Sequence, residues 1–567
     1  MKSLSKVLFI LLLIICMSAC QSADIQADLI IFNAKIQTVD ANNLVVQALA
    51  VKDGRILDTG TNEEMTQYNA SQKLDAHGKF VMPGFIEGHA HFSGLGYSLI
   101  NLNLMKTTSW NEIVALVEEK IKTAKPGEWI EGRGWHQEKW TESPGETTNG
   151  YPYHKKLSDV SPNNPVILTH ASGHGLFANG KAMEIAGVSL ETPDPSGGRI
   201  VRDDTGEAIG VFEERAMSTI RASHRAYLDG LSQDELTAKW YSAITKAQED
   251  CLRKGVTSFQ DAGSSYTECK RYEGLAKDEK LDMRLWVMIR QTAENLEGKV
   301  SDYRKINVGD HFYTCRALKT SVDGALGSYG AWLLKSYDDK SDFVGQNTTE
   351  IDEIQKISEI AAANEMQYCV HAIGDRANRE VLDIFSKHVN PSKNMRWRIE
   401  HAQHIHPDDI PRFAELGVIP AMQGIHCTSD APFVVKRLGQ QRAREGAYAW
   451  RSLMDAGSII ANGTDAPVED VDPIPSFYAS VTRKRADNKM IFFPMQKMNR
   501  IEAIRSYTIN NAYAAFEEEY KGSLEVGKVA DIVILSEDLM SCSDDEILDT
   551  EILYTIVDGK VKYQKSI

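Results

Sequence analysis

"FVMPGFIEGHAH" (80–91) is an apolar run, broken by Pro83 and Gly84, that ends in two histidines two positions apart. On a β-strand, residues i and i+2 project to the same side. His89 and His91 would therefore leave one strand end together, as a pair of metal ligands or as an accident of composition. What the chain sets at comparable positions elsewhere decides between the two.

Seven further segments read as buried strands. They are "GVTSFQDAG" (255–263), "RLWVMIR" (284–290), "CRALKTSVDG" (315–324), "QYCVHAIGD" (367–375), "RWRIEHAQ" (396–403), "GVIPAMQ" (417–423) and "SIIANGTDAP" (458–467). Short apolar runs bounded by turn residues suit strands covered on both faces. Most are followed by a helical pattern; "TEIDEIQKISEIAAANE" and "DRANREVLDIFSKHV" repeat apolar residues at three and four. Eight strands alternating with helices predict an α/β fold, a (β/α)8 TIM barrel.

Barrel enzymes gather their chemistry at the C-terminal ends of the strands. In this parsing strand one ends in His89 and His91, strand five in His371, strand six in His401 and strand eight in Asp465, while strand four carries Lys319. A single strand histidine is usually structural. Four histidines and an aspartate at four strand ends of one barrel are hard to assign to chance. Such donors suit Zn²⁺ or a similar borderline metal.

The rest of the chain divides around this barrel. "ADLIIFNAKIQTV" and "QALAVKDGRILDTG" near the start match "GSLEVGKVADIVILS" and "ILYTIVDGKVKY" near the end in strand-and-turn character. We expect residues 20–80 and 520–567 to form a small β-sandwich, with two independent β-caps as the alternative. The barrel then takes 81–91 and 255–519. Residues 92–254 are too many for a βα loop and carry their own strands. They read as an inserted α+β domain over the barrel mouth.

The first residues are a targeting segment. "MKSLSK" is basic, "VLFILLLIICM" is apolar but too short to span a bilayer, and "SAC" sets small residues before Cys20. Residues 1–19 thus resemble a lipoprotein signal peptide, with Cys20 lipidated and the protein an exported cell-envelope lipoprotein, periplasmic or outer-membrane anchored in a Gram-negative host. Ordinary secretion is the alternative. The other six cysteines are scattered without paired spacing and indicate no disulfide framework. A net charge of −16 in 567 residues argues against a nucleic-acid or anionic-membrane surface.

The ordered set "PGFIEGHAH", "LKTSVDGALGS", "VHAIGDRAN", "RIEHAQ" and "NGTDAPVED" resembles the amidohydrolase superfamily, in particular the amidohydrolase-3 group that includes N-substituted formamide deformylase and YtcJ-like proteins. "SGHGLFANGKAMEIAG" and "GGRIVRDDTGEAIGVFEERA" resemble that group's insertion, so the likeness covers nearly the whole mature chain. Glu87 is a departure, standing where many relatives carry Asp.

The resemblance implies roles. His89, His91 and Asp465 bind one divalent metal, and His371 and His401 a second. Lys319 bridges the two as a carbamate, because an ammonium beside metal ions would be repelled. An uncarboxylated Lys319 beside one metal is the alternative. A metal-activated hydroxide attacks a small-molecule amide or formamide, and Asp465 shuttles the proton to the leaving nitrogen. His170 and His174 are candidate substrate contacts that could equally stabilise a loop, and Asp323 is read first as shaping the loop after Lys319, with substrate contact as the lesser alternative. Arg133, Trp135 and Trp140 could line the pocket or fill the insertion's core. Two other functions compete: a heterocycle deaminase on the same barrel, against which Lys319 counts, and an inactive lipid-anchored binding protein, against which the intact ligand set counts. The expected partners are the substrate, a membrane through the lipid anchor alone, and a second copy as homodimer.

Overall fold

The computed structural model describes residues 25–566 apart from 138–139, 171–174, 196–197, 390 and 488. The expected signal peptide, Cys20 and His174 lie outside the described residues. The chain forms two compact units, one of residues up to His91 with Gln248–Ile567, the other Phe92–Ala247.

In the first unit eight strands run parallel in chain order: Phe85–Ala90, Val256–Ser264, Arg284–Ile289, Tyr313–Ser321, Gln367–Ala372, Arg398–His401, Ile419–Gln423 and Ala461–Gly463. The sheet is nearly closed. Strand eight returns to strand one where the Asp465 N–H donates to the His89 carbonyl and the His91 N–H to the Ala466 carbonyl, both at 2.8 Å. Strand three, "RLWVMI", is buried at every position, as a strand between a filled interior and outer helices must be. Ala262, Trp286, Met288, Ala317 and Cys369 pack together with Ala515. Helix Ile351–Ala363 presents Ile354, Ile357 and Ala361 as its buried stripe, and Asp375–Phe385 follows strand five in the same way.

Both termini build one sandwich. Leu29, Ile31, Leu49 and Val51 share a core cluster with Ile532, Ile534 and Ile556, so independent caps are excluded. The opening motif joins the two modules. Phe80–Pro83 pairs with Ile532–Leu535 and with Lys35–Gln37 of the sandwich, and only Phe85–Ala90 enters the barrel. The boundary thus falls at Gly84 rather than after residue 80. A Cβ at Gly84 would lie 2.2 Å from Thr257, so only glycine fits this change of sheet.

The second unit, expected over 92–254, ends at Ala247, partway along helix Gln233–Arg253. Its six-stranded mixed sheet runs in the order Gly198–Arg202, Ala208–Glu214, Gly175–Ala178, Val166–His170, Ile130–Trp135 and Leu102–Asn103. Trp110, Trp135 and Phe177 fill one side of its core.

Candidate metal centre

The strand ends bring the expected ligands together. Ring centroids of His89 and His401 are 4.6 Å apart, and those of His371 and His401 4.4 Å. Oδ1 of Asp465 lies 3.4 Å from Nε2 of His91 and 3.7 Å from Nε2 of His89. The facing ligand atoms of His89, His401 and Asp465 all fall within 4.8 Å of one another.

Three local features aim these side chains. His89 and His91 keep the i, i+2 relation, although His91 sits one residue beyond its strand. His401 and Ala402 have φ of 72° and 43°, and Asp465 has φ of 60°. Left-handed backbone at non-glycine residues costs about 1–2 kcal/mol each, and here it turns these side chains out of the strand alternation.

Neighbouring groups fix the tautomers. Nδ1 of His89 meets the Glu400 carboxylate, and Nδ1 of His401 donates to Oε1 of Gln423 at 2.7 Å. Each contact leaves Nε2 with its lone pair free, the arrangement found behind metal-bound histidines. Buried Nε2 of His89, Nε2 of His371 and Oδ1 of Asp465 have no hydrogen-bond partner among the described residues. Leaving buried polar atoms unpaired is unfavourable, and a divalent ion satisfies this donor set.

The electrostatics agree. Burial, reinforced by Lys319, pulls His89 down to about 4 and His371 to about 3, which favours the neutral imidazole that binding a metal requires. Burial opposes the charge of Asp465, but the imidazole of His91 bonded to its carboxylate holds it well below the usual carboxylate range. Burial depresses Lys319 to about 8, although Glu400 and Asp465 pull the other way. Lys319 lines the same pocket as His91, His371, His401 and Asp465; its volume is about 450 Å³, and Leu326, Ile373, Phe433 and Val468 contribute an apolar wall.

Other expected residues take different places. The Asp323 carboxylate accepts backbone N–H groups of Trp332 and Ile373 at 2.9 Å and Gly374 at 2.8 Å. It ties the loop after strand four to the loop after strand five, the loop-shaping role that the sequence favoured over substrate contact. His170 belongs to the insertion unit, where Nε2 faces Gln137 at 3.2 Å and the ring packs on Trp135. Trp135 is core there, Trp140 packs against the same cluster, and Arg133 is exposed. Glu87 accepts from the backbone N–H of His89 and of Thr464, both at 2.9 Å, and so stitches strand one to strand eight.

Glu400 and Arg398 had no expected role. Nε of Arg398 lies 2.7 Å from Oε1 of Glu400, and Arg398 also donates to the Gly88 carbonyl at 2.7 Å. Burial alone would raise the Glu400 carboxyl, but Arg398 and His89 hold it at about 2. The signal was adjacency: Glu400 stands next to His401 in "RIEHAQ", where strict alternation assigns the two to opposite faces.

A parallel eight-stranded barrel with histidines and a buried aspartate at its strand ends defines a metal-dependent hydrolase. The chain belongs to the amidohydrolase family, whose sequence model matches residues 72–563. It is 30% identical over 535 residues to the putative amidohydrolase YtcJ of Bacillus subtilis, covering 92% of this chain and 96% of that protein. It is 27% identical over 570 residues to the N-substituted formamide deformylase of Arthrobacter pascens, covering 95% and 99%. Among solved structures, an uncharacterized metal-dependent hydrolase from Pyrococcus horikoshii OT3 superposes with a TM-score of 0.73 at 26% identity, over 91% of this chain and 99% of that one.

Proposed function

We propose that the protein hydrolyses a non-peptide C–N bond, in an amide or an N-substituted formamide, with Zn²⁺ as its metal. The observation that carries this reading is the pair of buried, unpartnered atoms at the pocket, Nε2 of His371 and Oδ1 of Asp465, with the equally unpartnered Nε2 of His89 3.7 Å behind that oxygen. The similarity to a formamide deformylase supports the substrate class.

His89, His91 and Asp465 would hold one ion and His371 and His401 a second. The tight group of His89, His401 and Asp465 draws on both sets and also suits a single ion. Depression of Lys319 to about 8 raises the share of neutral amine, the form that adds CO₂ to give a carbamate and one proton. A divalent ion held by these residues would polarise the scissile carbonyl and lower the pKa of water to about 7. Asp465 takes the proton as water adds to the carbonyl carbon, then delivers it to the nitrogen as the C–N bond breaks. The apolar wall of Leu326, Phe433 and Val468 accommodates the substrate's organic group and sheds water.

The test is metal analysis of the purified protein with a panel of N-formyl, N-acyl and cyclic amides and heterocyclic amines. Formate or carboxylate release with amine, stopped by chelation and restored by Zn²⁺, supports the reading. Ammonia released from a heterocycle instead identifies a deaminase, and a metal-loaded protein with no turnover identifies a binding protein.

We further propose that Cys20 carries a lipid anchor at the cell envelope. Cys20→Ala should release the protein from detergent extracts or block its processing. Intact-mass detection of a mature protein with a free Cys20 would overturn the anchor.

A further inference from the structure

His426 follows strand seven in "MQGIHCTSD" (422–430). The turn before it is pinned, with the Gly424 N–H donating to Oδ1 of Asn462 at 2.9 Å and the Ile425 N–H to Oγ of Ser476 at 3.0 Å. A Cβ at 424 would lie 2.4 Å from Oγ of Ser480, so the turn needs glycine. The His426 imidazole stands parallel to that of His401, with centroids 6.3 Å apart and planes at 11°. The residue is only 6% exposed and lines the pocket.

Hydrogen bonding sets His426 apart from the ligand histidines. At His89 and His401 an acceptor faces Nδ1, so that nitrogen carries the proton and Nε2 is the free ligand atom. At His426 the polarity is reversed. The amide nitrogen of Gln403 faces Nδ1 at 3.1 Å. An amide nitrogen can only donate, so Nδ1 accepts and the ring proton sits on Nε2. Gln403 is buried, and its backbone carbonyl accepts from the Tyr448 N–H at 2.7 Å, which fixes the main chain that carries the amide. Nε2 of His426 is itself buried and has no hydrogen-bond partner among the described residues. A buried N–H without an acceptor is unfavourable, and an acceptor entering the pocket removes that penalty.

We propose that His426 is a catalytic residue whose Nε2–H donates to the carbonyl oxygen of the scissile C–N bond. The assignment rests on the hydrolase reading and adds a protein donor to it. As water adds to the carbonyl carbon, the C=O π pair moves onto oxygen, and the Nε2–H stabilises the charge that develops there. When the pair returns, the C–N bond breaks and the nitrogen leaves with the proton held by Asp465. His426 keeps its own proton throughout. Because Nε2 carries hydrogen, His426 is a donor to substrate and not a further ligand.

The experiment compares parent enzyme with His426→Ala and His426→Gln, each reconstituted with Zn²⁺. Nitrogen-15 spectra of histidine-labelled parent and His426→Ala identify the His426 ring by its loss; an Nε2-protonated ring is expected. His426→Ala should keep the parent's metal content, lower kcat by about 10²–10³-fold and change KM little. His426→Gln, which keeps an N–H donor, should recover part of the loss. An Nδ1-protonated ring, loss of metal in His426→Ala, or an unchanged kcat in that variant overturns the proposal alone. A metal-loaded parent that turns over no C–N substrate overturns the hydrolase reading and the proposal with it.

Discussion

The carboxylate of Glu400, on strand six, clasps Nδ1 of His89, on strand one, within the barrel. Arg398 holds Glu400 in turn, so a buried cation, a carboxylate and an imidazole form one line behind the metal centre. Glu400→Gln should weaken metal affinity about 10–100-fold, the usual effect of losing such a support. It should also destabilise the fold by about 3–5 kcal/mol, because Arg398 is left charged and unpaired in the interior. Chelator competition and denaturant unfolding measure the two effects separately.

The proposed mechanism gives Asp465 two roles, ligand and proton carrier, and substitution can part them. Asp465→Asn keeps an oxygen ligand but cannot take up the proton. Metal content should stay near the parent's while kcat falls by about 10²–10⁴-fold. Unaltered turnover would remove Asp465 from the chemistry.

Lys319→Ala should lose one equivalent of metal and most activity. Acetate or formate in the buffer should partly restore both by supplying the missing oxygens. Two bound metals and near-normal turnover in this variant would exclude a bridging role for Lys319.

Gly463→Ala tests the seam between strands eight and one. Its Cβ would lie 2.2 Å from Oε1 of Glu87 and 2.6 Å from the backbone nitrogen of His89. Overpacking of this kind costs about 1–3 kcal/mol. The expected result is a lower melting temperature together with weaker metal binding, since the shift falls on His89 itself. A parent-like metal affinity would show that the seam does not set the position of His89.

The barrel and the histidines at its strand ends could be read from sequence because each leaves a local trace. A buried parallel strand is a short apolar run, and His89 with His91 obeys the two-residue period. What escaped the sequence has no such trace. Glu400 and His401 are neighbours that both serve the centre, because the left-handed backbone at His401 breaks the alternation. His426 sits in a turn whose sequence has no period, and its role depends on Gln403, which only the fold places beside it. Asp323 follows Lys319 by four residues in a motif read as loop-shaping. Its backbone donors Ile373 and Gly374 come from a loop distant in sequence, which the motif does not name.

Gly84 is where the chain leaves one sheet for another, and this bears on the order of events during synthesis. Phe80–Pro83 emerges early from the ribosome, yet its partner Ile532–Leu535 is made only when nearly the whole chain is out. Until then the lead-in to the strand bearing His89 is paired on one side alone, by Lys35–Gln37, and Ala461–Gly463 is not yet there to meet the strand's far side. Truncated translation products should therefore lack a metal-binding centre even when most of the barrel strands are present, so metal acquisition reports a completed chain.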